Sequence, residues 1–242
     1  MSKQLFAAAA CCLLSFGTAV AQRQPQGLSD LINTREPGWG LVQQWINAAK
    51  NPVEVLPRTP SRADSTLLAA QITTRSPMGA IIYETGGLLI DNGWLRILGS
   101  GSTALNRDLV QWNQDKQDGF LLIADDIAGG FFAINAGAFG ATSIGHVFYM
   151  SPDTLRWQAV SSSYSEFLIF CFSGDLQKFY RELRWKAWQS DTRQISGSQG
   201  MAFYPFLFTT EGRNIEKVSR RPVPVQELWI LYQDMQRQLD GR

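Results

Sequence analysis

Apolar residues follow a helical spacing near both ends of the chain and form short continuous runs between them. The spacing i, i+3, i+4 and i+7 predicts a first helix from about Gly38 to Lys50 and a closing helix with Leu228 and Tyr232 on one face. Ser76-Pro77 predicts another helix start, because a serine side chain caps free amides and proline suits the first helical position. Helices are therefore expected before and after a strand-rich middle.

Three pairs of short apolar runs in the middle of the chain each flank a turn rich in Asp, Asn, Gly or Pro. These turns lie at 91–93, 125–130 and 151–153, and the pattern is typical of β-hairpins. Successive hairpins favour a mainly antiparallel sheet with helices packed mostly on one face. The sequence therefore predicts an α+β fold. The proline-rich segments 57–60 and 222–224 are interpreted as stiff connectors.

The central hairpin, residues 119–135, carries two adjacent carboxylates, Asp125 and Asp126, and the pair Gly129-Gly130 in its turn. Asp near Gly often caps the backbone amides of a turn. Contact with a partner or ligand is a second interpretation, and a carboxylate-based catalytic site is a third. Neighbouring strand residues point to opposite faces, so the two carboxylates need not share a site. Acid–base catalysis requires a geometry that adjacency does not provide.

The first residues predict a cleaved secretory signal. Lys3 supplies a positive charge, Leu5 to Phe16 form an uncharged apolar stretch, and Ala19-Val20-Ala21 gives the small-x-small pattern of a cleavage site. The apolar stretch is shorter than the roughly 20 residues that a membrane span needs. We expect cleavage after Ala21, no membrane span afterwards, and a periplasmic or secreted protein. Residues 22–242 are expected to form one domain.

The charge of the chain argues against binding of nucleic acid, and its cysteine content excludes an intramolecular disulfide. Lys3 is the only charged residue of the leader, so 21 basic residues balance 21 acidic ones in the remaining chain. A neutral chain without a large basic cluster has no electrostatic basis for binding nucleic acid. Cys171 is the only cysteine after the leader, which excludes an intramolecular disulfide.

Residues for catalysis or metal binding are sparse. His146 is the only histidine, so a site with several histidine ligands is excluded, and no Gly-x-Ser-x-Gly motif accompanies it. Cys171 lies in an apolar run, where a buried thiol is inert. The sequence therefore predicts no catalytic set, no metal and no cofactor.

Two tryptophans are candidates for a surface role. Trp185 and Trp188 follow a predicted amphipathic segment and lie beside Lys186. An exposed aromatic pair would suit a protein interface, where tryptophan often dominates the binding energy. Packing of both rings at the end of a helix is the alternative interpretation.

The order of these elements resembles that of known bacterial families. Roughly residues 28–235 are similar to an uncharacterised bacterial family known only as a domain of unknown function. The apparent hallmarks are Thr85-Gly86-Gly87, Trp94–Ser100, Ile123–Asp126 with Gly129-Gly130, Pro152–Leu155, Tyr164–Leu168 and Phe179-Tyr180.

Within this match, about residues 80–170 resemble the core of the SUKH superfamily of immunity and adaptor proteins. The likeness lies in Gly119–Asp126, followed by Gly129-Gly130 and a second strand, and then in the strands and helix start between 146 and 163. It implies a SUKH-like α+β core without enzymatic activity that binds protein partners, in many cases a toxin.

These observations lead to one expected function and two alternatives. We expect an exported, non-enzymatic protein-binding domain of immunity or adaptor type, with a toxin or an envelope component as its partner. Asp125, Asp126, Trp185 and Trp188 are the candidate partner-binding residues. The alternatives are a carboxylate-based hydrolase and a structural protein of the cell envelope.

Overall fold

The computed structural model describes residues 24–116, 118–239 and 241 of the 242-residue chain. The predicted leader and its cleavage site after Ala21 lie outside these described residues. Of the helices that the structure describes, none combines the length and the apolar character needed to cross a membrane.

The centre of the fold is an antiparallel sheet. Within the described residues it has seven strands, and each strand pairs with the next one in the chain. Its strands are β1 (Val53–Leu56), β2 (Gly87–Ile90), β3 (Leu95–Leu98), β4 (Phe120–Asp126), β5 (Phe131–Asn135), β6 (Val147–Met150) and β7 (Trp157–Ser161). A separate two-stranded sheet contains β8 (Gln199–Tyr204) and β9 (Ser219–Pro224). The predicted α+β class is therefore confirmed.

Helices lie before the sheet in sequence, within its connections and after it. They are α1 (Leu28–Leu31), α2 (Trp39–Asn47), α3 (Pro60–Ala70), α4 (Pro77–Glu84), α5 (Leu109–Asn113), α6 (Tyr164–Ser173), α7 (Leu176–Phe179), α8 (Trp188–Thr192) and α9 (Val225–Leu239). A 3-10 turn covers Ala141–Ser143.

Both faces of the sheet are buried at its centre. On one face, the ring of Phe132 packs against the ring of Phe167 on α6, with 5.0 Å between the ring centroids. Helix α6 in turn contacts α2 and α4. The next residue along β5, Phe131, points to the opposite face because side chains alternate along a strand. Its ring packs against Trp229 of α9 at 5.1 Å and stacks on Trp112 of α5. Helix α9 also contacts β8 and β9.

Local signals in the sequence correspond to the observed turns and caps. Asp91 and Asn92 both have positive φ, at 52° and 61°, which is the left-handed conformation of a tight hairpin turn between β2 and β3. The hydroxyl of Ser76 accepts a hydrogen bond from the amide of Gly79 at 3.0 Å and caps α4. The hydroxyl of Ser163 caps α6 in the same way.

Two segments differ from the sequence-based expectation. The predicted connector around Pro222 and Pro224 is strand β9, in which Met201 lies opposite Pro222 and Gln199 opposite Pro224. The prolines are two residues apart on a strand at the edge of a sheet, where a missing amide donor is tolerated. Strand β1 was not predicted, because a four-residue run between prolines has too little pattern to distinguish it from a loop.

Candidate functional site

The two carboxylates of the central hairpin lie at the end of β4, and both are fully buried. Asp125 lies opposite Phe131 in the β4–β5 pairing and therefore shares its face of the sheet. Asp126 is on the other face, where it contacts Tyr149. The two side chains thus belong to two different environments, as the alternation of strand residues predicts.

Asp125 is held between two buried arginines. Arg96 lies directly opposite it in the β3–β4 pairing, and its Nε donates to Oδ1 of Asp125 at 2.6 Å. Arg107 pairs with the other carboxylate oxygen. The two guanidinium groups also donate to the backbone carbonyls of Gln199 and Gly197. We call Arg96, Asp125 and Arg107 the buried triad; it connects the seven-stranded sheet to the start of β8 and to the segment before it.

Burial alters the proton affinity of Arg107. It lowers the pKa of Arg107 to about 10, because the charged form is removed from water; the neighbouring Asp125 opposes this shift and Arg96 adds to it. The side chain is still protonated near neutral pH. Two positive charges therefore share one carboxylate, so the triad depends strongly on Asp125.

Asp126 closes the turn of the hairpin. Its Oδ1 accepts a hydrogen bond from the amide of Gly130 at 2.8 Å, and its Oδ2 accepts one from the hydroxyl of Tyr149 at 2.7 Å. Burial raises the pKa of Asp126 to about 6, although both hydrogen bonds act against the shift. A side chain at Gly130 would collide with Tyr149 and Asp126, which explains the glycine. Asp126 thus caps the turn, whereas Asp125 forms an ion pair.

An open cleft of about 690 Å³ lies on another part of the molecule, along α7, α8 and the segment between them. We call it the α7–α8 cleft. Its lining is mostly polar and comprises Asn51, Asp91, Asp175, Gln177, Lys178, Arg181, Arg184, Trp185, Lys186, Trp188, Gln189 and Glu216. The structure thus places both candidate tryptophans at this cleft.

The two tryptophans have different surroundings. Trp185 is buried, and its Nε1 donates to Oδ2 of Asp191 at 2.6 Å. Trp188 is partly exposed, and the guanidinium of Arg184 lies over its ring at 3.9 Å. Arg184 also forms an ion pair with Asp91. The predicted role in partner binding stays a prediction, and in this structure Trp188 has the better access to solvent.

The basic and acidic side chains of the cleft differ in whether the fold supplies them with a partner. Lys178, Arg181 and Lys186 are exposed, and none of them forms an ion pair with any residue that the structure describes. The acidic groups all have partners: Asp91 has Arg184, Asp175 accepts from the amide of Lys178 at 2.8 Å, and Glu216 accepts from the amide of Lys186 at 2.6 Å.

The two reactive side chains considered from the sequence differ in their access to solvent, since His146 is partly exposed and Cys171 is not. Cys171 is buried, and burial raises the pKa of its thiol well above the usual range. Among the described residues, no group of three or more His, Cys, Asp or Glu side chains could hold a metal ion.

Sequence reasoning missed the arginines that matter most. A buried ion pair of Arg96 could have been predicted, since a charged residue inside the apolar run Trp94–Leu98 needs a buried partner. The pair of Arg184 and Asp91 could not have been predicted from the sequence, because the two residues are 93 positions apart in the chain.

The fold and these two sites define an α+β protein with a buried arginine–aspartate triad and an open polar cleft. Residues 28–228 match the family described as "Protein of unknown function DUF2625", and the chain belongs to that family. This confirms the predicted likeness to a bacterial family of unknown function.

Two relatives cover most of the chain. The protein YbfG of Escherichia coli (strain K12), described as uncharacterized, is 42% identical over 211 residues, which are 86% of this chain and 96% of the relative. An uncharacterized protein of Haemophilus influenzae (strain ATCC 51907 / DSM 11121 / KW20 / Rd) is 41% identical over 208 residues, which are 83% of this chain and 91% of the relative.

Proposed function

We propose that this chain is an exported, non-enzymatic protein-binding domain and that the α7–α8 cleft is its recognition surface. The observation that carries the proposal is the set of exposed side chains around Trp188 that lack a partner within the described residues: Lys178, Arg181 and Lys186. A polar group that folding leaves unpaired on a cleft is available to a second molecule. Trp188 and the arginines are residue types that often dominate binding energy.

Two features of the sequence support the proposed role. The leader pattern that ends at Ala21 favours export to the periplasm or beyond. The SUKH-like pattern of the central hairpin favours binding of a protein, of immunity or adaptor type, with a toxin or an envelope component as partner. The hydrolase alternative is less well supported, because Asp125 and Asp126 are buried and engaged inside the fold.

Site-specific photo-crosslinking in cells that export the full chain tests the proposal. The crosslinking amino acid replaces Gln189, an exposed residue of the cleft, or Gln43, an exposed glutamine of α2 that does not line it. We expect a discrete protein adduct from position 189 and none from position 43. Adducts of equal yield from both positions, or no adduct at 189, would contradict the proposed recognition surface.

Fractionation of the same cells tests export. We expect the protein in the periplasm or the medium, with a mass that places Gln22 at its N-terminus. A cytosolic protein that retains Met1–Ala21 would contradict the export part of the proposal.

A further inference from the structure

We infer that the α7–α8 cleft binds an extended acidic segment of a partner protein, whose carboxylates pair with Lys178, Arg181 and Lys186. This inference rests on the proposed function and adds the chemical class of the ligand. It follows from the charge, the rigidity and the size of the cleft.

The charge of the cleft calls for a ligand that supplies hydrogen-bond acceptors. The rim carries two ammonium groups and one guanidinium, Lys178, Lys186 and Arg181, which together offer only donors. The acidic groups are already engaged, Asp175 and Glu216 with backbone amides and Asp91 with Arg184. The lining carries four basic and three acidic side chains in all, a small excess of positive charge. The three rim cations are the basic groups that lack an ion pair within the described residues, so the carboxylates of a ligand would find three donor groups.

The half-buried ring of Trp188, which we call the aromatic floor of the cleft, is held in place by the fold. The guanidinium of Arg184 lies over Trp188 at 3.9 Å and over Trp94 at 4.9 Å, and it is paired with Asp91. Trp94 and Trp188 themselves meet edge to face at 5.1 Å. Arg184 is therefore a support for the aromatic floor, while the three rim cations remain available to a ligand.

The size of the cleft favours a segment over a small ion. At about 30 Å³ for each water molecule in the liquid, a volume of 690 Å³ corresponds to roughly 20 waters. One phosphate or one carboxylate would leave most of this space to solvent. A peptide of several residues fills it and places its carboxylates at separate cations. Nucleic acid is the weaker alternative, because the binding of successive phosphates needs a larger basic cluster than the three rim cations provide.

Fluorescence polarisation with short labelled probes tests the inference on the purified full-length protein. The probes are octaglutamate, octaglutamine and an eight-residue oligothymidylate. We expect octaglutamate to bind, octaglutamine not to bind, and binding to weaken as salt rises, because exposed charges are screened. Oligothymidylate that binds as tightly as octaglutamate would overturn the inference in favour of a general polyanion site.

Two triple variants with the same change in net charge locate the binding. The first combines Lys178→Gln, Arg181→Gln and Lys186→Gln. The second combines Arg35→Gln, Arg213→Gln and Arg221→Gln, which are exposed and do not line the cleft. We expect affinity for octaglutamate to fall about tenfold in the first variant, as a sum of modest exposed pairs, and to stay within about twofold in the second. Equal losses in both variants would overturn the inference.

The result also separates this inference from the proposed function. A partner adduct at position 189 together with no octaglutamate binding would overturn the acidic ligand and leave the recognition surface standing. Octaglutamate binding without any cellular adduct at 189 would support the ligand chemistry and contradict the protein-binding role.

Discussion

The buried triad and the α7–α8 cleft use the same chemistry, arginine with aspartate, in opposite settings. Asp125 is fully buried between Arg96 and Arg107, and every charge of the triad is engaged within the fold. In the cleft, Arg184 and Asp91 form an ion pair, with 8% and 15% of their side chains exposed. The neighbouring cations of the rim form no ion pair with any part of the chain that the structure describes. The comparison indicates that ion pairs sealed in the core maintain the fold, and the proposed function assigns recognition to the charges left open.

Replacement of Asp125 should have the largest effect on stability. Asp125→Asn removes the only carboxylate of the triad and leaves two buried guanidinium groups without a counter-charge, which costs about 3–5 kcal/mol. Urea unfolding measures this change in the free energy of unfolding. Asp234→Asn is the matched control, because its pair with Arg237 is exposed and such pairs contribute about 0–1 kcal/mol. Similar losses of stability from the two substitutions would contradict the distinction between buried and exposed ion pairs.

Ionisation of Asp126 should make stability depend on pH. The pKa of Asp126 is raised from 3.8 to about 6 by burial, so between these values the folded state binds the proton more tightly than the unfolded state. Stability is therefore greatest below about pH 4 for this group and falls as pH rises through 6. A shift of about two units corresponds to about 3 kcal/mol.

Asp126→Asn isolates this contribution, because the amide imitates the protonated carboxyl in shape and keeps an acceptor for Gly130. The titratable groups near it, Tyr149, Tyr180, Tyr232, Asp125 and Arg96, are common to both proteins. We expect Asp126→Asn to gain stability relative to the natural chain, by up to about 3 kcal/mol, between pH 4 and pH 7.5. A difference that does not change with pH would contradict the assignment.

Arg184→Gln should have an intermediate effect on stability. It removes the partner of the half-buried Asp91 and the group that packs over Trp188, so we expect a loss of about 1–3 kcal/mol in urea unfolding. Octaglutamate affinity should fall as well, because the aromatic floor is no longer supported. Unchanged stability would show that Arg184 belongs with the rim cations.

Arg181→Gln should have the smallest effect on the fold. Its side chain is exposed and has no ion pair within the described chain, so stability should change by no more than about 0.5 kcal/mol. Affinity for octaglutamate should nevertheless fall about two- to fivefold. A loss of stability comparable with that of Arg184→Gln would contradict the distinction between floor and rim.

Local features of the fold could be predicted from the sequence, since each depends on a few neighbouring residues. The turn at Asp91–Gly93 follows from residues that tolerate positive φ. The start of α4 follows from Ser76-Pro77, and the hairpin of β4 and β5 follows from two apolar runs around a glycine-rich turn. Strand β9 could not be predicted, because prolines at Pro222 and Pro224 are normally unfavourable in a strand and are tolerated only at its position on an edge.

The candidate sites depend on contacts between distant parts of the chain. The adjacent carboxylates Asp125 and Asp126 suggested a site, yet only the β3–β4 register places Arg96 against Asp125. The cleft is formed by residues as far apart as Asn51 and Glu216. Of the four candidate residues, Trp188 is the one that the fold leaves partly open at a cleft.

The most direct test of the division between fold and recognition is photo-crosslinking from Gln189 in three versions of the full chain. These are the natural chain, the variant with Lys178, Arg181 and Lys186 changed to glutamine, and the charge-matched variant with Arg35, Arg213 and Arg221 changed to glutamine. We predict one protein adduct in the natural chain and in the charge-matched variant, and its loss from the rim variant while the free energy of unfolding stays within about 1 kcal/mol. An adduct that persists in the rim variant would contradict recognition by the α7–α8 cleft.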